Sequence, residues 1–220
     1  MNDNEKNELK DEALEAVSQV KDVIKNIDVK EEAEKTKGFF AEMLANPIGK
    51  MRSVANSGSS LLTVAIIILA TWTAAVFVRS VLSTLMRTWR FADVIPRFVN
   101  IITSTLSPAF IVLILAVAVY IFYKDKVKQF MPILITVTIA SAPRALGAVL
   151  SVLVTLIPTS NMVIGSINAF LYLISILLVY FGIKALVVED NDESFFKNFM
   201  KIQCVYFVAR IVLGAFGISI

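Results

Sequence analysis

Residues 53–78 and 98–123 contain no charged side chain, and three further apolar stretches of similar length follow them. Hydrocarbon offers no water to the backbone, so each such stretch must become a helix that closes its own hydrogen bonds. About 20 apolar residues, rising 1.5 Å each, cross a bilayer core of about 30 Å. The expected spans are therefore about 60–79, 98–123, 132–157, 162–186 and 199–219. Composition agrees, since the 220 residues are 57% hydrophobic and 18% charged with a mean hydropathy of +0.74, outside the range of ordinary soluble domains. The fold class is all-α: a polytopic membrane protein with five transmembrane helices and a charged, partly helical N-terminal cytoplasmic tail.

The charge is divided unevenly along the chain. Residues 1–52 hold nine Lys/Arg against twelve Asp/Glu, and the remainder holds twelve against six. The tail, 1–37, carries Ala13, Val17, Val20, Ile24 and Ile27 on one thin seam, the pattern of a short coiled coil or of a solvated helix. Asp28 and Glu31 have capping-box spacing for a second helix. Residues 38–59 read as a juxtamembrane amphipathic helix and turn, with Phe39, Phe40, Met43 and Leu44 in the headgroup region and a break at Asn46, Pro47, Ile48 and Gly49. Residues 60–220 form the membrane domain.

No apolar stretch precedes the first span, so that span is expected to act as the insertion signal. Lys and Arg beside the spans favour a cytoplasmic N-terminus and an outside C-terminus. The four opposing arginines, Arg79, Arg87, Arg90 and Arg97, fall in a segment expected to lie on the membrane, anchored by Trp89 and Phe91.

Each span after the first has a stripe of small or polar residues at helical spacing. The stripes are Asn100, Thr103, Ser107; Pro143, Gly147, Ser151, Thr155; Gly165, Asn168, Tyr172, Ser175; and Gln203, Tyr206, Arg210, Gly214, Gly217. Such stripes pack helices closely, and Gly147, Ser151, Thr155, Gly214 and Gly217 are the expected packing residues. Arg144 and Arg210 need a different explanation. A guanidinium near the bilayer centre costs roughly 2.5–3.5 kcal/mol on the translocon scale, and the apolar stretches contain no Asp or Glu to offset it. Three arrangements answer the cost. The arginines can bond carbonyls exposed by a Pro143 kink together with Asn168 or Gln203, converge on a bound anion such as a lipid phosphate, or meet an acidic group on a partner span. In the second case Arg144, Arg210, Asn168 and Gln203 line an anion or lipid site.

Catalysis finds little support. The chain has no histidine, the commonest general base and zinc ligand. The single cysteine, Cys204, lies in a span without a histidine companion and forms no intrachain disulfide. Glu189, Asp190, Asp192 and Glu193 lack calcium-loop spacing and read as a solvated turn. The expectation is no enzymatic activity, no cofactor, no metal and no nucleic-acid partner, because the cations sit at span boundaries rather than in one patch.

A charged N-terminal region, the juxtamembrane stretch FFAEMLANPIG at 39–49, and five spans ending near the C-terminus together resemble the Yip domain family. The resemblance covers about residues 38–220 and rests on layout; the Tyr-Gly-Pro stretch of eukaryotic members is absent, with Pro47 and Gly49 in its place. It implies a membrane interaction or organising protein. Lys, Ile and Asn richness fits a bacterial plasma membrane, with endoplasmic reticulum or Golgi as the alternative. The partners expected are the bilayer, an anionic lipid, and either a second copy or another membrane protein. The competing expectation is a transporter or lipid-handling protein that binds an anion through Arg144 and Arg210.

Overall fold

The computed structural model describes Leu14, Ser18, Lys21 and residues 29–86, 94–127, 129–155, 161–187 and 191–215. These form α1 (Val29–Ala45), α2 (Pro47–Asn56), a 3-10 turn (Gly58–Leu61), α3 (Leu62–Leu85), α4 (Val94–Tyr123), α5 (Phe130–Ala140), α6 (Ala142–Thr155), α7 (Asn161–Val187) and α8 (Asp192–Ala215). Five helical spans are long and apolar enough to cross a membrane, with α5 and α6 together making the third. The tail seam from Ala13 to Ile27, the Asp28 cap, and Trp89, Phe91, Arg87 and Arg90 lie outside the described residues.

The juxtamembrane segment differs from its expected form. The expected break falls at Asn46 alone: α1 ends at Ala45, and Asn46 Oδ1 accepts the Gly49 amide at 3.0 Å and caps α2, with Pro47 in the first turn, where a missing N–H costs nothing. Thr36, Phe39 and Met43 are buried, so this stripe of α1 faces protein rather than headgroups. Lys50 ties the two helices together by pairing with Glu42 and lying 4.7 Å from the centre of the Phe39 ring. Met51, Val54 and Ala55 put an i, i+3, i+4 stripe of α2 into the bundle, where Met51 is 0% and Val54 1% exposed. There α2 packs against α5 and α7. The membrane domain is therefore wedged by a helix too short to span.

Among the five spans the third is the most enclosed. Of its apolar stretch 61% is buried, against 17% for the fourth and fifth. It packs against α3, α4 and α7. Helix α3 turns Leu62, Ala65, Ile68, Trp72 and Ala75 inward at spacings of three and four. Pro108 sits inside α4 without ending it, a placement that bilayer helices tolerate. The fifth span starts earlier than hydropathy indicates, at Asp192 rather than near 199. Asn191 Oδ1 accepts the amides of Glu193 and Ser194 at 3.0 and 3.3 Å, and acidic residues suit the positive end of a helix.

Helix α8 is fastened by its first half. Tyr180 on α7 meets Phe195 and Phe199 edge-on, each at 5.1 Å, while Tyr123 on α4 stacks on Phe195 at 5.8 Å and donates its hydroxyl to the Phe195 carbonyl at 3.3 Å. Lys184 near the end of α7 and Asp192 at the start of α8 pair at 2.8 Å.

Two glycines of α7 separate close approach from simple tolerance. A Cβ on Gly182 would lie 2.5 Å from Thr136 Cγ2 and 2.7 Å from Met51 Cε, whereas one on Gly165 would meet nothing within 4 Å. Gly182→Ala is expected to cost about 1–3 kcal/mol by overpacking. Gly165→Ala should gain up to about 1 kcal/mol from helix propensity. Unfolding of both variants in detergent checks the pair, and equal effects at the two positions would refute the three-helix contact at Gly182.

Candidate functional site

Pro143 has no amide hydrogen, and it interrupts the third span at the level of Arg144. Helix α5 ends at Ala140, Ser141 Oγ donates back to Val137 O at 2.9 Å, and the Arg144 amide bonds Ser141 O at 2.9 Å. That three-residue bond diverts the Arg144 amide from Ala140, its regular helical partner. The Ala140 carbonyl is taken instead by Ser175 Oγ of α7 at 2.9 Å. One kink carbonyl, that of Ala140, is thus taken by a serine rather than by Arg144.

Arg144 turns its half-buried side chain toward tyrosines. Its guanidinium carbon lies over the Tyr172 ring of α7, 4.5 Å from the centre, and 5.7 Å from the centre of the Tyr206 ring of α8. Its Nη1 donates to the Tyr206 hydroxyl at 3.3 Å. A desolvated cation–π contact is worth up to about 2 kcal/mol, so two rings offset much of the roughly 2.5–3.5 kcal/mol that a mid-bilayer arginine costs. The offset is incomplete in hydrogen bonds, because Nε is buried with no partner.

The other candidates separate from Arg144. Asn168 Nδ2 donates to Ser151 Oγ at 3.0 Å, and Asn168 Oδ1 fills the space at Gly147, where an added Cβ would lie 2.6 Å away. Ser151 in turn donates to Gly147 O at 2.7 Å, and Thr155 to Ser151 O at 2.8 Å. Gly147 and Ser151 therefore pack α6 on α7, with half-buried Thr155 bonded to its own helix. Gln203 is half-buried and Arg210 exposed on α8. Neither makes a hydrogen bond or ion pair among the described residues, and no bond joins Arg210 to Arg144.

Gly214, an expected packing residue, packs on no helix among the described residues. It is exposed, with nothing within 4 Å of an added Cβ, because α8 is covered up to Tyr206 and open beyond it. Gly217 lies outside the described residues. Of the acidic loop cluster, Asp192 and Glu193 are engaged with Lys184 and Lys197, each at 2.8 Å, and Glu189 and Asp190 lie outside the described residues. Tyr172 and Tyr206, the residues that hold Arg144, stood in the sequence only as members of packing stripes. The available signal was elimination: without carboxylates in the spans, ring faces are what is left to meet a cation.

The chain matches no family model, no curated protein and no solved structure. The fold and site define a class, an integral multi-pass membrane protein of five helical spans.

The contact of Asn168 with Ser151 carries a measurable energy. A double-mutant cycle of Ser151→Ala and Asn168→Leu, read by unfolding in detergent, is expected to give a coupling of about 0.6 kcal/mol. Additive losses would mean that the bond contributes nothing to holding α6 on α7.

Proposed function

We propose that the protein is a non-enzymatic organising component of its membrane that holds another membrane protein laterally against its fifth span. Arg210 carries this reading. Tyr206 touches Arg144, which stands 14 residues, or about 20 Å, along the third span from Phe130. Arg210 is one turn, about 6 Å, further along α8, exposed and without a partner among the described residues. Its neighbours Phe207, Val208, Ile211 and Val212 are exposed too, an apolar surround for a charge that lipid cannot solvate.

No span carries Asp or Glu within its apolar stretch, so a second copy brings no carboxylate to that depth. The occupant that answers the charge is a partner helix with a carboxylate near mid-span. An organising role of the Yip kind agrees with the layout of charged tail, short juxtamembrane helices and five spans. The flanking Lys and Arg support an N-terminus in the cytoplasm, and the composition supports a bacterial plasma membrane.

Energy transfer in lipid vesicles tests the reading, with the full chain labelled at its single cysteine, Cys204, which is exposed on α8. The probes are designed leucine-rich transmembrane peptides that differ only in a glutamate or a leucine at mid-span. Transfer above the random level is expected for the glutamate peptide and not for the leucine peptide, and Arg210→Leu should abolish it. Equal transfer to both peptides would sink the proposal. Transfer between labelled copies of the chain that survives Arg210→Leu would replace it with self-association through another face.

A further inference from the structure

We propose that Arg144, Tyr206 and Tyr172 form a binding site for a phosphate group inside the membrane, independent of Arg210 and of the lateral contact assigned to it. A guanidinium has five N–H donors. Arg144 uses one, on the Tyr206 hydroxyl, and its Nε is buried without an acceptor. Tyr206 accepts that bond, which leaves its own proton without an acceptor among the described residues, although the side chain is only 2% exposed. The junction of α6, α7 and α8 thus collects a positive charge and several unused donors, and no carboxylate of the described residues pairs with Arg144.

The rings fix how a ligand docks. The Arg144 guanidinium carbon lies over the Tyr172 ring, so that ring closes one side of the site, and a forked pair of the donors that remain fits two oxygens of one phosphate. The Tyr206 hydroxyl, already bonded to Nη1, supplies a further donor beside the fork. Arg144 also stands in the first turn of α6, where the third span is interrupted. Arg144 and Tyr172 are half-buried, so the site meets the lipid-facing surface of the bundle. The phosphate is either the headgroup of a lipid drawn inward or a free ion, and the chemistry of recognition is the same for both.

The test uses the full chain in detergent, as wild type, Arg144→Gln, Tyr206→Phe and Arg210→Gln, each checked for helicity and thermal unfolding. Native mass spectrometry measures retention of dioleoyl phosphatidate against dioleoylglycerol, which lacks the phosphate. Thermal unfolding in inorganic phosphate measures the free ion. A lipid source predicts that wild type and Arg210→Gln keep one phosphatidate and exclude dioleoylglycerol, that Arg144→Gln keeps none, and that Tyr206→Phe binds about tenfold more weakly for the loss of one hydroxyl donor. A free-ion source predicts a rise in unfolding temperature with phosphate for wild type and Arg210→Gln, abolished in Arg144→Gln and reduced in Tyr206→Phe. Should Arg144→Gln fail to fold, the isosteric Tyr206→Phe decides. The proposal is overturned if wild type responds to neither probe, if Tyr206→Phe responds like wild type, or if Arg210→Gln alone loses the response.

Discussion

A carbonyl left without its helical amide inside a bilayer must find a donor, because no water is present to supply one. In this chain the donor is Ser175, and the bond to Ala140 sits in the middle of the contact on which the bundle is built. Along the antiparallel third and fourth spans the pairs run in register: Thr136 beside Gly182, Ala140 bonded to Ser175, Arg144 over Tyr172, and Gly147 with Ser151 around Asn168. A shift of one residue along either helix would break the serine bond, drive Asn168 into a backbone, and leave the arginine without its ring. The seam fixes register through polar and small residues because lipid is as apolar as the leucines and does not drive helices together as water does.

The rest of the architecture hangs on this seam. Helix α2 wedges against it where Gly182 gives the Met51 methyl room. Helix α3 covers the other side of the third span, and α4 carries the contacts on to α8. Cover is graded as a result: the third span lies deep, while α8 is gripped at its aromatic start and bare beyond Tyr206. The open half of α8 is also the part that carries Arg210.

Much of this was legible in the sequence, for particular reasons. The spans follow from unbroken apolar stretches, since hydrocarbon admits few alternatives. Gly147 and Ser151 of one stripe meet Asn168 of another because small and polar residues at helical spacing have few other uses in lipid. Periodicity says that a face packs, not which helix it meets: on α8 Tyr206 is buried and Gly214 is exposed. The burial of α2 was missed because Pro47 and Gly49 look like a break, although Met51, Val54 and Ala55 already had the spacing of a buried stripe. Asn46 decides the matter, since a capping asparagine before a proline starts a helix.

The two arginines show how far composition alone can carry an argument about charge. Both stand well inside their spans in a chain that offers no intramembrane carboxylate, and on that count they are equivalent. Their surroundings make them opposites. Arg144 emerges at a kink between three helices, where its guanidinium lies near two tyrosine rings and donates to one tyrosine hydroxyl, so most of its cost is met inside the protein. Arg210 is exposed on α8 without a partner among the described residues, so its cost falls on whatever adjoins the bundle. A single anion bridging both would need the second arginine turned inward beside Tyr206, on a face that Tyr206 already fills with Arg144. The separation makes two independent demands on the surroundings. The first is for oxygen acceptors at the Arg144 edge, small enough to fit between helices; the second is for a counter-charge on a surface broad enough to cover the open half of α8.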